Sequence, residues 1–345
     1  MVDITDLKTL DETTKSSLAQ LLLSDPATQF WGIGDYAGLT LNFSIIKHLS
    51  SLKEVHGIAC HRIRYEVMDN VVFGAGNYGS FFRCRFTLSF DEHRKLIIKE
   101  RKPDRIRLVK VQSLVQRNEF CYDRIYAEAI ALGKSPIFHS KPLVLDKEKA
   151  YIVMKELPGV TLQSVILNNN LTIKERYTLT IELVKALKEQ IHDKGWIHRD
   201  ITPHNILVYQ NGETFQVFII DFGFISEISD MPTDCRGSPF YAAEECHYSW
   251  VVKNEKTDIY ALGLILGYLW NEIPVKAVCH DELMNIFEHM MHPSMVHRPD
   301  IPNILKALDV WKNYLVPTEE HQACHYYYAE PDHHGESYAC SSQPI

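Results

Sequence analysis

The chain has 345 residues, of which 46% are hydrophobic, and its formal charge is -8 at neutral pH. This length exceeds that of an ordinary single domain, and the composition allows a sizeable buried core. The acidic balance excludes a general electrostatic attraction to nucleic acid or to an anionic membrane. The N-terminus shows no basic and apolar signal segment, no apolar stretch would span a bilayer, and the eight cysteines form no CxxC pair. We therefore expect an intracellular, cytoplasmic protein without a membrane span.

The first 68 residues carry no recognisable motif. Helical periodicity is patchy over Ile4–Leu23, and Pro26 interrupts it. This pattern predicts an N-terminal helical extension over residues 1–68, whose role the sequence leaves open.

A β-rich segment follows the extension. From Glu66 to Phe90, short runs of Val, Phe and Tyr surround a glycine cluster, which predicts a β-hairpin. A further strand is predicted at Lys95–Lys99, a helix over Leu114–Leu132, and another strand at Ala150–Met154. These elements predict a small sheet with one helix.

Beyond Gly159 the periodicity becomes mainly helical. Helices are predicted over Thr172–Lys194, Thr257–Trp270, Asp281–Met291 and Asp300–Trp311. The residues after this region are polar and irregular, so we expect a disordered tail over 317–345. One domain over 69–316, β-rich at first and helical afterwards, is thus predicted.

The glycine cluster Gly74-Ala75-Gly76-Asn77-Tyr78-Gly79 lies in the predicted hairpin. Glycines let backbone amides approach phosphate oxygens because no Cβ stands in the way. A glycine-rich turn can also be no more than a turn. The strand-like sequence that follows favours a flap over phosphates, since a dinucleotide-binding turn would need a helix at that point.

Two charged residues downstream could complete a phosphate site. Lys99 ends the predicted strand, where its ammonium could hold two phosphates of a nucleotide, and Glu119 on the predicted helix could pair with it. Glu128 on the same helix is an alternative partner, and spacing favours Glu119. A lysine at a strand end is ordinarily only solvated.

The run His198-Arg199-Asp200-Ile201-Thr202-Pro203-His204-Asn205 lies between a long predicted helix and a short strand. The Asp200 carboxylate can accept the proton of an attacking hydroxyl, and Asn205 can ligate a magnesium ion. Asp221-Phe222-Gly223 then follows an apolar strand, which places Asp221 to chelate Mg²⁺. Either run alone is common, whereas both in this order and spacing indicate a site for phosphoryl transfer.

With these motifs the chain resembles the eukaryotic-like protein kinase family over about Tyr65 to Tyr314. The resemblance implies an α+β, bilobal fold. In that fold a small antiparallel β N-terminal lobe with one helix ends near residue 155, and a mainly helical C-terminal lobe follows. The resemblance also implies ATP and Mg²⁺ as cofactors, a protein as substrate, and Lys99, Asp200, Asn205 and Asp221 as catalytic residues.

The resemblance extends to residues around the adenine base. Met154 is the expected gatekeeper, and the backbone of Lys155 and Leu157 is expected to meet adenine. Phe81 and Ile97 stand where the family has smaller residues over the base. They predict a bulky roof and unusual nucleotide binding.

Other residues that match the family are expected to hold architecture rather than react. The run Gly237–Glu245 resembles the end of an activation segment, and Arg298 is the expected partner of Glu245. Asp258 is expected to brace the backbone of the catalytic loop, whose His198 and Arg199 belong to the same supporting set.

Asp234 lies three residues before Gly237, about where the family often carries a regulatory phosphothreonine. We hypothesise that Asp234 supplies a fixed negative charge to Arg199 and lessens any need for activating phosphorylation. Thr233 is the competing phosphorylation site.

The expected function is transfer of the γ-phosphoryl group of ATP to a protein hydroxyl, and Gly237-Ser238-Pro239 favours serine or threonine over tyrosine. A small-molecule kinase and a pseudokinase that only binds partners are the alternatives. No nucleic-acid partner is expected, and residues 1–68 offer a candidate docking segment for a protein. A host enzyme and a pathogen effector acting in the host cytosol both fit this sequence.

Overall fold

A computed structural model describes residues 1–55, 58–76, 79–116, 119–271 and 280–315. The tail predicted at 317–345 lies outside these residues, as do Asn77 and Tyr78 of the glycine cluster. No helix in the described ranges is both long enough and apolar enough to cross a membrane.

Residues 1–68 fold mainly as strands, so the predicted helical extension is wrong except for one helix. In chain order the elements are β1 (Val2–Ile4), α1 (Glu12–Ser24), β2 (Phe30–Trp31), β3 (Gly34–Tyr36), β4 (Leu39–Leu41), β5 (Ser44–Val55) and β6 (Ile58–Met68). Helix α1 begins after Asp11, whose carboxylate accepts a hydrogen bond from the amide of Thr14 at 2.7 Å. Strand β5 has a register shift between Leu49 and Leu52, which disturbs the alternation by which strands are predicted.

The next segment forms most of the remaining sheet structure. Its elements are β7 (Val72–Gly76), β8 (Gly79–Cys84), β9 (Phe86–Phe90), β10 (Leu96–Glu100), β11 (Arg107–Ser113), β12 (Val115–Gln116), β13 (Glu119–Phe120), α2 (Tyr122–Lys134), β14 (Val144–Asp146) and β15 (Lys149–Lys155). The glycine-loop sheet has the strand order β14-β15-β11-β8-β7, and the extension sheet has the order β10-β9-β6-β5-β2. The β9–β10 hairpin therefore lies between β8 and β11 in sequence but joins the sheet that the extension builds.

The last part is mainly helical. Its elements are β16 (Val160–Thr161), α3 (Leu162–Asn168), α4 (Ile173–Gln190), β17 (Trp196–Ile197), β18 (Ile206–Asn211), β19 (Thr214–Ile219), β20 (Ser226–Glu227), α5 (Glu255–Trp270), α6 (His280–Met290) and α7 (Ile301–Leu315). Helix α4 starts with a reciprocal cap between Thr172 and Glu175. Leu183 of α4 and Leu262 of α5 share the largest core cluster with Ile152 of β15, so the helices and the glycine-loop sheet have a common core.

Two connections between strands carry the predicted site residues of the catalytic loop and Asp221. Residues 198–205 connect β17 to β18, and Asp221 follows shortly after β19. Arg199 and Asp221 adopt positive φ angles of 65° and 61°. Non-glycine residues rarely do so, and backbone strain of this kind collects at functional sites.

Candidate active site

A buried lysine lies at the centre of the site, and it is Lys110 in the middle of β11. Its Nζ is 2.6 Å from Oε1 of Glu128 on α2 and 2.8 Å from Oδ1 of Asp221. The other carboxylate oxygen of Glu128 accepts a hydrogen bond from Nε2 of Gln112 at 2.7 Å. The Lys110 side chain is 2% exposed and that of Asp221 is 24% exposed, so the cluster opens to solvent at Asp221.

The charges in this cluster stabilise one another. Burial alone would lower the pKa of Lys110, but the carboxylates of Glu128 and Asp221 outweigh burial and raise that pKa above its ordinary value. Burial would likewise raise the pKa of Asp221, and the ammonium of Lys110 reverses this and lowers it. Lys110 is therefore a cation and Asp221 a carboxylate at neutral pH, which suits phosphate and metal binding.

Lys99 and Ile97 do not lie in this cluster, so the places predicted for them in the site are wrong. Both are on β10 of the extension sheet; the Lys99 side chain is exposed and Ile97 is 40% exposed. The cause is long-range pairing, because β9 pairs with β6 and carries β10 into the extension sheet. Strand β11 pairs instead with β8 and β15, and Leu108, two residues before Lys110, lies opposite Met154.

Glu128, the alternative partner, occupies the place predicted for Glu119. The prediction for Glu119 is wrong because this residue lies in β13, before α2 begins. The sequence did contain the signal for Glu128. Four residues at helical spacing form the buried face of α2: Ile125, Glu128, Ala129 and Leu132. A carboxylate on an apolar helix face requires a buried cation, and a lysine inside a strand of alternating burial is the residue to look for.

The predicted catalytic-loop residues contact one another. Nδ2 of Asn205 donates at 3.0 Å to both the main-chain oxygen and Oδ2 of Asp200. Oδ1 of Asp200 accepts hydrogen bonds from the amide of Ser238 at 2.9 Å and from its hydroxyl at 2.7 Å. The Asp200 carboxylate is thus held from two sides, and Oδ1 of Asn205 is directed away from it.

A second buried carboxylate holds the loop backbone. The amides of His198 and Arg199 each donate to Asp258 at 2.8 Å, and Nε2 of His192 lies 3.1 Å from the same carboxylate. Burial alone would raise the pKa of Asp258, but the hydrogen bond and charge of His192 outweigh burial and lower it. The ring of His198 reaches the carbonyl oxygen of Ile220 at 3.1 Å, which ties the catalytic loop to the segment after β19.

The predicted phosphate flap lies at the turn of the β7–β8 hairpin. Its described residues are Gly74, Ala75, Gly76 and Gly79. A Cβ at Gly79 would approach the carbonyl oxygen of Val111 to 2.6 Å, so a larger residue cannot be accommodated without movement. Phe81 of β8 lies opposite Lys110, and its ring centroid is 5.8 Å from the lysine Nζ. The flap strand therefore passes directly beside the buried lysine.

The residues predicted to meet adenine lie where β15 leaves the glycine-loop sheet. Met154 is 6% exposed and belongs to the largest core cluster. The amide of Lys155 donates to the carbonyl oxygen of Phe138 at 2.7 Å, whereas within the described ranges the amide of Leu157 has no hydrogen-bond acceptor. Leu157 is therefore the backbone donor available to a base.

Comparison with known proteins decides the family. Residues 68–318 match the family model described as protein kinase domain, which is more than half of the chain. The chain belongs to the protein kinase family. Asp200, Asp221 and the buried Lys110 occupy the site described above.

Similar curated proteins are serine/threonine-protein kinases and a mitogen-activated protein kinase. Serine/threonine-protein kinase D of Synechocystis is 27% identical over 258 residues, covering 72% of this chain and 48% of that protein. Serine/threonine-protein kinase CLA4 of Candida albicans is 28% identical over 205 residues, covering 54% and 19%. Mitogen-activated protein kinase 14 of Xenopus laevis is 28% identical over 215 residues, covering 60% and 54%. The chain thus spans about a fifth to a half of the length of these relatives.

In this kinase, Asp234 of the activation segment lies against Arg199. Nη1 of Arg199 donates to Oδ1 of Asp234 at 2.5 Å, and Arg236 pairs with the other oxygen. Burial alone would raise the pKa of Asp234, but Arg199 outweighs burial and lowers it. The neighbouring Thr233 presents its carbonyl oxygen to Nζ of the buried Lys253 at 2.5 Å.

The end of the activation segment is anchored by a buried ion pair. Nη1 and Nη2 of Arg298 donate to the two oxygens of Glu245 at 2.6 and 2.9 Å. Thr257 of α5 adds a hydrogen bond to the same carboxylate at 3.2 Å. This bidentate pair joins the end of the activation segment to the segment before α7.

Proposed function

We propose that this kinase transfers the γ-phosphoryl group of ATP to a serine or threonine hydroxyl of a protein, with Mg²⁺ as the metal. The observation that carries the proposal is the ion cluster of Lys110, Glu128 and Asp221. A pseudokinase that serves only as a binding module does not need this cluster to open to solvent at Asp221, and the intact Asp200 and Asn205 also argue against that alternative. Burying these charges costs free energy of desolvation, and a role in binding phosphate would account for that cost.

Asp200 acts on the acceptor hydroxyl in this proposal. Ser238 and Asn205 hold its carboxylate from two sides, at 2.7 to 3.0 Å. A remaining lone pair of the carboxylate accepts the proton of the serine or threonine as its oxygen attacks phosphorus, and the bond from phosphorus to the leaving phosphate oxygen breaks. Ser238 thereby places the activation segment, and any substrate that lies along it, beside the proton acceptor.

Asp221 and Asn205 fit a magnesium ion. When bound, ATP supplies the phosphoryl group and Mg²⁺ neutralises charge on its phosphates. Mg²⁺ prefers oxygen ligands and needs only one or two from the protein besides phosphates and water. Asp221 is partly exposed, and Oδ1 of Asn205 is directed away from Asp200, so both can supply an oxygen.

The nucleotide binds, in this proposal, between the sheet-rich and helical lobes of a bilobal fold. Phe81 and Leu108 form the roof over the base, with Leu108 in the place first assigned to Ile97. Met154 closes the back of the pocket, and the amide of Leu157 donates to the base. Lys110 orients the phosphates by its ammonium, and Glu128 orients Lys110.

A radiolabelled-ATP assay with magnesium tests this proposal on the full chain. Generic protein substrates are offered together with the chance of autophosphorylation, and labelled amino acids are identified after hydrolysis. Asp221→Ala should reduce label incorporation at least about 100-fold, because a metal-binding carboxylate is lost. Asp193→Ala is the matched control, since this exposed carboxylate only pairs with Lys188 at 2.7 Å on the surface.

Label on serine or threonine from the wild type and from Asp193→Ala, but not from Asp221→Ala, is the expected result. Label on tyrosine alone would contradict the acceptor class. No label from the wild type, together with measurable ATP binding, would contradict catalysis and favour a pseudokinase.

A further inference from the structure

Strand β10 is an edge of the extension sheet, since it pairs with β9 alone. At the end of this hairpin, the amide of Asp91 donates to the carbonyl oxygen of Lys95 at 3.1 Å. Backbone groups in an antiparallel pair alternate in direction, so the groups of Leu96, Ile98 and Glu100 face away from β9. No described backbone group pairs with the amides of Leu96 or Ile98 on that side. The edge thus offers a row of free main-chain donors and acceptors.

A groove lies between helix α1 and the β9–β10 turn, and it reaches β10 at Leu96. Its volume is about 450 Å³, and its walls include Ser16, Ala19, Gln20 and Leu23 of α1 with Arg94 and Lys95 of the hairpin turn. The opposite face of α1 buries Leu18 and Leu22 in the core of the extension, which holds the helix in place beside the edge. A strand lies about 4.8 Å from its neighbour and alternates its side chains, so a strand added to the free side of β10 would have one end beside Leu96 in this groove.

Charge indicates what would occupy the groove. Its lining has three cations, Lys15, Arg94 and Lys95, and one carboxylate, Glu12. Glu12 is already paired with Lys15 at 2.7 Å, which leaves Arg94 and Lys95 as the remaining charges of the groove lining. In the same turn but outside the lining, Asp91 accepts hydrogen bonds from the amides of His93 and Lys95, and Glu92 lies 3.5 Å from His93. An acidic side chain near one end of an added strand would complement the charge of Arg94 and Lys95.

A second copy of the chain fits less well than a foreign strand. In a two-fold antiparallel pairing of β10 with itself, centred on Ile98, Arg94 would lie opposite Lys102, and Lys95 opposite Arg101, whose charge Glu66 partly compensates. Like charges directly opposite each other destabilise a strand pair. Charges at the two ends of β10 therefore act against self-association through this edge.

We propose that β10 and α1 form a docking site for an extended acidic peptide segment of a protein partner, which adds to β10 as a further strand. Main-chain hydrogen bonds to Leu96 and Ile98 supply the attachment, and Arg94 and Lys95 select acidic side chains. The site is separate from the Lys110 cluster, because β10 belongs to the extension sheet and β11 to the glycine-loop sheet. Docking is therefore independent of whether the kinase is active.

The first test is a fluorescence anisotropy titration of the full chain with a labelled peptide, acetyl-Glu-Glu-Val-Thr-Val-Thr-Val-amide. Saturable binding is expected, and no saturation up to about 1 mM protein would overturn the proposal. Two N-methylated versions follow, each blocking one alternate set of peptide amides. One set faces β10 and the other faces away, so one version should bind at least about tenfold more weakly and the other within about twofold. Equal effects of the two versions would contradict strand addition.

Matched variants of the protein then locate the site. Ser16→Trp fills the groove from an exposed position of α1 and should weaken peptide binding at least about tenfold. Thr13→Trp adds the same bulk to the same helix at an exposed position outside the groove and should leave binding within about twofold. Equal losses in both variants would mean that the helix, not the groove, was disturbed, and would overturn the assignment.

Charge reversal tests the selection of acidic peptides. The double variant Arg94→Glu with Lys95→Glu should weaken the acidic peptide about fivefold and strengthen acetyl-Lys-Lys-Val-Thr-Val-Thr-Val-amide. Lys99→Glu, on the same strand but outside the groove lining, is the control and should change neither. Self-association of the wild type by sedimentation, strengthened in the double variant because like charges become opposite ones, would identify a second copy as the occupant instead. Autophosphorylation assayed in parallel should stay constant in all these variants, so failure of docking and failure of catalysis are distinguishable.

Discussion

The two five-stranded sheets each contain a buried ionic cluster, and the clusters are opposite in sign. In the glycine-loop sheet, the cation of Lys110 lies between two carboxylates. In the extension sheet, the carboxylate of Glu66 on β6 is fully buried and accepts hydrogen bonds from Arg101 at 2.6 Å and from His48 at 3.0 Å. The first cluster opens to solvent at Asp221, whereas the second is closed. Buried charges thus form the candidate reactive site in one sheet and a contact that holds strands together in the other.

The closed cluster also links the two sheets. Arg107, the first residue of β11, lies 3.8 Å from Glu66, and its Nη1 donates to the carbonyl oxygen of His139 at 3.1 Å. Both ring nitrogens of His48 face oxygen atoms: Nε2 lies 3.0 Å from Oε1 of Glu66, and Nδ1 lies 3.2 Å from the carbonyl oxygen of Leu49. Glu66 therefore contacts arginines associated with both sheets. Arg101 follows β10, and Arg107 begins β11, the strand that carries Lys110.

The largest expected effect comes from removing the cation of the open cluster. Lys110→Met should lower kcat/KM for a protein substrate about 100- to 1000-fold, because the donor that orients phosphate is lost. Lys99→Met removes a lysine from an exposed place on β10 and should change kcat/KM less than about twofold. Steady-state kinetics with both variants checks this, with circular dichroism to confirm folding. A larger loss in Lys99→Met than in Lys110→Met would contradict the assignment of the phosphate-binding lysine to the glycine-loop sheet.

The partner of the lysine should matter somewhat less. Glu128→Gln keeps the shape of the side chain but removes the charge that orients Lys110, and should lower kcat about 10- to 100-fold. Glu119→Gln is the matched control and should leave kcat nearly unchanged. Equal losses in the two variants would mean that the buried pair is not the element that positions Lys110.

The closed cluster should affect stability rather than chemistry. Glu66→Gln leaves Arg101 and Arg107 without a buried counter-charge and should lower the free energy of unfolding at pH 7 by about 2 to 4 kcal/mol. Activity per folded molecule should remain near that of the wild type. Urea unfolding combined with active-site titration by a labelled nucleotide analogue separates the two quantities. A loss of activity per folded molecule would show that Glu66 reaches the reactive site.

The loss of unfolding free energy in Glu66→Gln should depend on pH. Burial alone would raise the pKa of Glu66, but the hydrogen bond from His48 and the charge of Arg101 outweigh burial and lower it. A lowered folded-state pKa contributes stability above the unfolded-state value of about 4.3 and loses it as pH falls through the folded-state value. The stability gap between wild type and Glu66→Gln should therefore be constant from pH 7 to pH 6 and shrink below about pH 4. A gap that grew on acidification would contradict this sign.

The smallest expected effect is in the activation segment. Asp234→Asn should lower the activity of unphosphorylated protein about three- to tenfold, because Arg199 loses a partly exposed ionic partner. Thr233→Ala should leave that activity within about twofold. The assay uses protein treated with phosphatase and checked by mass spectrometry. Full activity in Asp234→Asn would refute the hypothesis of a fixed activating charge.

The helices after residue 159 were predicted from sequence better than the sheets. The run 198–205 and the segment that contains Asp221 lie close together. Each motif is short, so residues that are neighbours in its sequence are also neighbours in space. Lys99 was predicted as the site lysine and Lys110 was missed, because both follow apolar residues and only strand pairing separates them. No local pattern states that β9 pairs with β6 rather than with β11.

The extension was misread for a related reason. Helical spacing is patchy over Ile4–Leu23, and α1 forms over Glu12–Ser24, but the strands around it depend on partners elsewhere in the chain. Strand β1 pairs in parallel with β4, and β6 pairs with β9. Deleting residues 1–68 is therefore a poor test of docking, because the deletion would remove strands of a sheet and not only a surface.

The β9–β10 hairpin leaves the glycine-loop sheet after β8 and the chain returns to that sheet at β11. A fragment of residues 69–316 would keep this hairpin but lose β2, β5 and β6, so the apolar side of Leu88 would meet water and Arg101 would lose Glu66. The unit that folds is then larger than the unit that the family resemblance covers. Strand pairing between β6 and β9 thus joins the extension to the later part of the chain by more than the connecting backbone.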